Sequence, residues 1–395
     1  MHLLESYAAS TGVKISKPFI FEKFFPLSID GYVTLHPYSK PAKTYEYFQE
    51  VVDIIEPVLK RNRIAIVQIG HGSERPLRKV IPIMGQTSVN QIAYLLRNSL
   101  MHIGVDSFPV HIASSYSKPI VALYGNNYVS CVRPFFGEQG NYSLIEPDRT
   151  KKKPCLSLDE IPRQINSIKP EIVADEIFKK LGFSDRSNRN SLYFGPLYNL
   201  LMLEVVPNGI YYPHFYQVES FIVRMDILHD ENCLREQLKQ CPCVIVTDRP
   251  ISLEVLTSNR KNVREIVYLI TEKNEPNFAA ALLANGIRFQ LLTDLPAEKF
   301  DKFKIDYLEI SGVAFRPAQM PPELEGKDFS KIWYKTHKFI LSGNTLFPSK
   351  AAYEARVPIA SLDQNYARLS TIKDLSKLWH EAHHFHFFEE TVDAA

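Results

Sequence analysis

No stretch of this chain approaches eighteen consecutive apolar residues, so a membrane-spanning helix is not expected. Cysteine is scarce and unpatterned. Cys131, Cys155, Cys233, Cys241 and Cys243 form no zinc-type spacing and no C-x-x-C redox pair, only C-P-C at 241–243. Scattered thiols in odd number fit a reducing, cytoplasmic compartment. The opening MHLLESYAAS lacks both a basic n-region and a continuous apolar core, so no secretion signal is expected. Charge of one sign is lacking as well, with a net of only +2. Even split between the two halves of the chain, the imbalance is far weaker than the concentrated basic stripe expected of a dedicated nucleic-acid binder. No solenoid repeat occurs.

What is present describes a globular protein: 45% hydrophobic and 23% charged residues. At 395 residues the chain exceeds one ordinary core, and two domains are expected. Residues 1–200 hold 24 Lys and Arg against 18 Asp and Glu, whereas residues 201–395 hold 22 against 26. This asymmetry suits an anionic ligand on the first half. The basic run Lys151-Lys152-Lys153 reads as a solvated loop.

From Gly31 onward, strand-like and helix-like segments alternate. GYVTLHP, RIAIVQIG, KVIPIMG, MHIGVD and KPIVALYG read as strands, several of them continuous apolar runs of the kind a sheet buries on both faces. Between them, YEYFQEVVDIIEPVLKR, TSVNQIAYLLRNS and PVHIASSY have helical spacing, and KPEIVADEIFKKLG closes the series with Gly182 as a C-cap. Such alternation predicts βαβ units on a parallel, doubly wound sheet. SDRSNRNS, 184–191, reads as a linker, which divides the chain into domains 1–188 and 189–395. Beyond it CVIVTD, REIVYLIT, IRFQLLTD, IDYLEIS, KFILSG and VPIASL read as strands, with SLEVLTSNR and NFAAALLANG as helices. Three of these strands end in Asp248, Glu272 and Asp294. Open parallel sheets bind ligands outside the carboxyl ends of their strands. Each acid is thus a site candidate, or simply a cap for the next helix.

The chemistry concentrates in HIGVDSFPVHIASSYSKPIVALYGN, residues 102–126. A strand ending at Asp106, a turn through Ser107, Phe108 and Pro109, and a helix starting near Val110 present a helix N-terminus, an anion site. His111 lies in the first turn. Two further loops at strand ends of the same sheet are His36-Pro37-Tyr38-Ser39-Lys40 with Lys43, and Gly70-His71-Gly72-Ser73-Glu74. A basic loop, a glycine-rich loop and a helix N-terminus at one edge suit a nucleotide diphosphate.

The run Asp106-Ser107-Phe108-Pro109-Val110-His111-Ile112-Ala113, followed by Lys118-Pro119-Ile120-Val121-Ala122-Leu123-Tyr124-Gly125, resembles the donor half of glycosyltransferase family 9, the ADP-heptose:lipopolysaccharide heptosyltransferases. Gly85-Gln86-Thr87-Ser88-Val89-Asn90-Gln91-Ile92-Ala93, His36-Pro37-Tyr38-Ser39 with Lys43, and Cys155-Leu156 with Pro170-Glu171 follow the same family order. The resemblance spans residues 31–182. It implies a GT-B-like α/β fold, two Rossmann-like domains facing a cleft, here with the donor domain first in the chain. The implied activity is inverting, metal-independent sugar transfer from a nucleotide-diphosphate sugar. On the matching positions Ser39, Lys40 and Lys43 would hold the diphosphate and Glu74 would lie near the nucleotide. Met84 and Gly85 would border the base, and Asp106, His111 and the backbone of Ser107, Phe108, Pro109 and Val110 would meet sugar and diphosphate. Phe108 and Tyr38 stand where the family has glycine.

The second half is expected to bind the acceptor, a glycan or lipid-linked glycan ahead of protein or DNA. Asp248 and Asp294, ahead of Glu272, and His111 are the candidate catalytic residues, because an inverting transfer needs a carboxylate or a histidine to take the acceptor proton. A non-catalytic nucleotide-sugar or glycan-binding module is the alternative that Phe108 favours. WHEAHHFHFFEE contains H-E-x-x-H at 380–384, a zinc pattern when helical. So close to the end of the chain it reads better as an amphipathic terminal helix, and no metal is expected. The Ser342-Gly343-Asn344 turn with Lys350 reads as a surface loop or an acceptor contact.

Overall fold

The computed structural model describes residues 1–390 apart from Lys151, Gln217, Asn274, Phe303, Pro317 and Asp363, so Lys151 of the basic run lies outside the described residues. The chain divides into two compact units, Met1–Arg189 and 190–390.

The first unit is built on strands β1 (Tyr32–His36), β2 (Ala65–Gln68), β3 (Ile81–Pro82), β4 (His102–Val105), β5 (Ile120–Leu123) and β6 (Tyr142–Ile145). They pair throughout in parallel, in the order β3-β2-β1-β4-β5-β6. This is the doubly wound arrangement, with its order reversing between β1 and β4. Residues of β1, β4 and β5 are buried throughout, as continuous apolar runs require when helices cover both faces. Helix α1 (Phe48–Arg61) packs on α4 (Pro170–Leu181), and α2 (Val89–Asn98) on α3 (Phe108–Ser115). Ser88 caps α2 through a reciprocal box with Gln91, and Gly182 ends α4 at φ 76°. Val67, Leu95, Val110, Ile120 and Tyr124 belong to the core between these layers.

The second unit departs further from the alternation. Its first strands are β7 (Arg189–Phe194), β8 (Met202–Val205), β9 (Phe221–Arg224), β10 (Cys243–Thr247), β11 (Val263–Ile270), β12 (Phe289–Thr293) and β13 (Val313–Phe315). Then follow β14 (Ile332–Thr336), β15 (Lys338–Ser342), β16 (Thr345–Phe347), β17 (Tyr366–Arg368) and β18 (Phe385–Glu390). Eight of them form one sheet, β13-β12-β11-β10-β9-β8-β15-β16, parallel except for the β15–β16 hairpin. The other four form a second sheet, β17-β14-β18-β7, with β14 antiparallel to both β17 and β18.

Several expectations are corrected here. Residues 189–191 of the expected linker are the start of β7, which pairs within the small sheet. IDYLEIS is not a strand: a helical turn, Lys304–Tyr307, buries Tyr307 alone and leaves Ile305 and Leu308 exposed, and the strand forms later at 313–315. VPIASL makes only one bridge, Ile359 to Leu346. Among the described residues the expected terminal helix is also absent. The helical turns at Leu375–Trp379 stop before His380, and Phe385–Glu390 is a strand. There Phe385 and Phe387 pack on Tyr334, while His386 lies against Phe388, the period-two pattern of a strand with both faces covered.

Candidate functional site

The carboxyl ends of β1 and β4 lie side by side where the first sheet reverses its order, and the loops leaving them meet. Lys43 Nζ donates to Asp106 Oδ2 at 2.6 Å. The Asp106 carboxylate is nearly buried, and the Lys43 ammonium is partly so. Asn127 Nδ2, in the loop after β5, approaches the same oxygen at 3.5 Å. Thr44 Oγ1 ties the Lys43 loop together, accepting from the Ser39 N–H and donating to the Ser39 carbonyl. Ser39 Oγ reaches the Asp106 carbonyl at 3.5 Å.

The helix start beside this pair is open. Ser107 occupies the N-cap of α3 but makes no side-chain cap bond, and its hydroxyl donates to the Val105 carbonyl at 3.0 Å. With that proton committed, the 2.9 Å contact from Ser107 Oγ to His36 Nδ1 requires the proton on His36 Nδ1. Burial lowers the His36 pKa to about 4, so the ring is neutral at pH 7. Its Nε2 faces Glu74 Oε1 at 3.9 Å. Burial raises the Glu74 pKa, partly opposed by the N–H it receives through the His71 turn.

The glycine-rich loop is shaped by close approach. Gly70 has φ +150°, and a Cβ there would fall 1.9 Å from Glu74 Oε2. The Gly70 carbonyl accepts from the Gly85 N–H, and a Cβ on Gly85 would fall 2.7 Å from Gly72 Cα. The Glu74 loop and the Met84–Gly85 strand end are thereby clamped together.

Of the residues singled out in the sequence, the fold brings Ser39, Lys43, Glu74, Asp106 and Ser107 to this edge. Phe108 is 42% exposed at the first turn of α3, edge-on to His36 with centroids 6.1 Å apart. Pro109 and Val110 turn into the core. Their backbone adds little, since proline has no N–H and the Val110 N–H already donates to Ser107 O. Lys40 and His111 are exposed. The protein around the His111 ring nevertheless lowers its pKa, against the pull of Asp106. In the sequence His36 is marked only as part of its loop, and Asn127 is not singled out. His36 ends β1 at the reversal, and Asn127 lies in the loop after β5, one strand beyond β4.

Asp248 and Asp294 end β10 and β12 of the second unit, with β11 between them. Asp248 pairs with its neighbour Arg249. Asp294 receives both Nε and Nη2 of Arg316, at 2.8 and 2.7 Å, and faces His380 at 3.7 Å. The H-E-x-x-H glutamate serves a different purpose. Glu381 pairs with Lys338 and accepts the Lys350 N–H at 2.8 Å. Lys338 also meets Glu204 at 3.2 Å, and Glu204 pairs with Arg224. Arg224 in turn grips Asp226 through two bonds of 2.7 and 2.8 Å, and Lys350 Nζ closes the network on Asp226 at 2.8 Å. Lys350 is therefore a member of this network. Burial pushes the Glu381 and Asp226 pKa values up, but the surrounding cations outweigh it and hold both carboxyls below their usual range. Among the described residues no group of three or more His, Cys, Asp or Glu is placed to hold a metal ion. Nor is any helix among them long and apolar enough to cross a membrane.

Residues 60–159 match the profile of glycosyltransferase family 9 (heptosyltransferase). That span contains Glu74, Met84, Gly85 and the 106–111 segment, while Ser39 and Lys43 precede it. No curated protein matches the chain. Among solved structures, a family 9 glycosyl transferase from Veillonella parvula is 19% identical with a TM-score of 0.32, covering 45% of this chain and 50% of its own. ADP-heptose LPS heptosyltransferase II of E. coli is 17% identical with a TM-score of 0.30 over the same shares, 45% and 50%. The E. coli heptosyltransferase WaaC with ADP is 16% identical with a TM-score of 0.29, covering 39% and 45%. The chain thus spans about half the length of these structures.

Proposed function

We propose that this chain, whose residues 60–159 carry a family 9 profile, is a glycosyltransferase. It takes a nucleotide-diphosphate sugar at the β1/β4 reversal of its first unit. One observation carries the reading: Lys43 is held 2.6 Å from Asp106 beside the uncapped start of α3. A departing nucleoside diphosphate gathers negative charge, and a lysine with a helix N-terminus is suited to stabilise it. Asp106 fixes the lysine and offers a hydroxyl acceptor, while Ser39 and the Phe108 N–H at the helix start supply donors. Glu74 and the clamped Met84–Gly85 edge border the nucleoside. Transfer is inverting and metal-independent in this reading, and the second unit holds a glycan acceptor, with Asp248 ahead of Asp294 as base. The donor is a cytoplasmic metabolite class, in keeping with the free cysteines.

Phe108 at the helix start favours a second reading, a binding module that holds a nucleotide sugar without turning it over. Thermal unfolding against ADP, UDP, GDP, CDP and their sugars tests the site itself. At about 100 times its dissociation constant a ligand adds roughly 2.7 kcal/mol. A shift with one base that disappears in Lys43→Ala supports the donor site, and no shift with any of them rejects it. Slow donor hydrolysis by the wild type then separates enzyme from module.

A further inference from the structure

The second unit has a reversal of its own. From β8 the chain lays β9 to β13 on one side, and β15 later pairs on the other, at Met202 with Lys338. Ligands gather outside such points at the carboxyl ends of the strands. Here the loops leaving β8 and β15 are tied by polar groups. Asn208 Nδ2 donates to Ser342 Oγ at 2.8 Å, the Gly343 N–H donates to Tyr211 Oη at 2.9 Å, and Tyr211 Oη donates to Asn208 Oδ1 at 2.6 Å. Tyr211 is held from below as well. Its N–H donates to Gln237 Oε1 at 2.8 Å, and its carbonyl accepts from Gln237 Nε2 at 2.9 Å, with Gln237 fully buried.

On this fixed base the next residues carry a cluster of rings. Tyr212, His214 and Phe215 contact one another, with centroids at 6.0, 6.2 and 4.1 Å. The ring pair is not folded away: Tyr212 is 41% exposed and Phe215 72%. Exposed rings grouped together mark a binding surface rather than a core. The charge of the loop narrows the occupant. Residues 206–218, VPNGIYYPHFYQV, contain no Lys, Arg, Asp or Glu. Nucleic acid and anionic lipid are captured by cations, which this loop lacks. A sugar needs what is here: flat rings for its C–H faces, and amide and hydroxyl groups for its hydroxyls.

We infer that the loop 208–216, with Ser342 and Gly343, is a platform for a neutral glycan chain. That this glycan is the sugar acceptor rests on the transferase reading above; the binding itself does not.

The test is retention of the full chain on a printed array of neutral oligosaccharides, with no nucleotide sugar present. At least one glycan should be retained. Tyr212→Ala and Phe215→Ala should each weaken it about tenfold, the effect of losing roughly one stacking contact, and Phe215→Trp should keep it. Both alanine variants should unfold at the wild-type temperature. An array with no retained glycan, or retention that ignores both substitutions, overturns the platform. So does a sedimentation profile in which Phe215→Ala turns a dimer into a monomer, because the rings would then cover a second copy. Since no donor is present, failure of the nucleotide-sugar site would leave this result standing, and the reverse.

Discussion

The Glu74 carboxylate fills the space that a side chain on Gly70 would need, its Oε2 lying 1.9 Å from the ideal Cβ position. Two loops at the edge of the first sheet are thus shaped by absent methyl groups. Gly70→Ala should displace Glu74 and cost about 1–3 kcal/mol, because it combines a collision with a backbone angle that L residues disfavour. Chemical denaturation measures the loss. A nucleotide that stabilises the wild type should stabilise this variant less.

Lys43→Ala removes the ammonium held against Asp106. A charge-assisted bond is worth about 1.5–3 kcal/mol, so nucleotide affinity should fall roughly 10- to 150-fold in a calorimetric titration. Asp106→Asn should fall less, since Lys43 keeps its charge and loses only its anchor.

His36 gives the first unit a dependence on pH. Its pKa is about 4 in the folded chain, below the ordinary 6.5, so unfolding releases a ring that takes up a proton more readily. The stability it contributes is fully present above pH 6.5 and is lost as pH falls toward 4. The span amounts to up to about 3 kcal/mol. His102, lowered by burial to about 3, acts in the same direction. His36→Gln should flatten the fall in unfolding free energy between pH 6.5 and 4 by His36's share and leave that of His102.

Glu381 should behave as a structural anion. Glu381→Gln leaves Lys338 facing Glu204 alone and should cost about 3–5 kcal/mol, the usual penalty for breaking a buried pair. Glu381→Leu combined with Lys338→Met should be less damaging than Glu381→Leu by itself. Both depressed carboxyls, Glu381 and Asp226, add stability above their ordinary pKa that disappears as pH falls. Added zinc should leave the melting temperature unchanged, and a zinc-dependent rise would overturn this role.

Asp248→Asn should lower transfer by about 10²–10⁴-fold while leaving nucleotide binding intact, the signature of a lost base. Asp294→Asn should instead lower stability, because both its oxygens serve Arg316. A kinetic and binding comparison of the two variants assigns the base.

Local pattern exposed the first unit well. AIVQ, HIGV and IVAL are short, mostly apolar runs between helices of plain 3–4 spacing, and all three are strands. The neighbourhood of its candidate residues was legible for the same reason, since loops after strands carry polar residues to one edge. Lys43 and Asp106 are 63 positions apart, yet both follow strands that the alternation places in one sheet. What pattern could not supply was pairing over longer separations. FHFFEE has helical neighbours and acids, and pairing with β14 and β7 makes it a strand. Glu381 looks like a zinc-site base until Lys338, from another strand, arrives beside it. Asn127 was overlooked because nothing local distinguishes it from Asn126.

The pairing of β8 with β15 joins Met202 to Lys338, and this sets an order of events during synthesis. The six strands of the first unit are complete by Ile145 and can assemble while the rest of the chain is still being made. The large sheet of the second unit must hold Glu204 and Arg224 in readiness until a lysine more than a hundred residues later emerges to balance them. Contacts that distant in sequence form slowly, and half-made sheets expose their edges to other chains. The second unit is therefore the part of a nascent chain that stays incomplete longest, and slower translation before residue 338 would prolong the exposed interval.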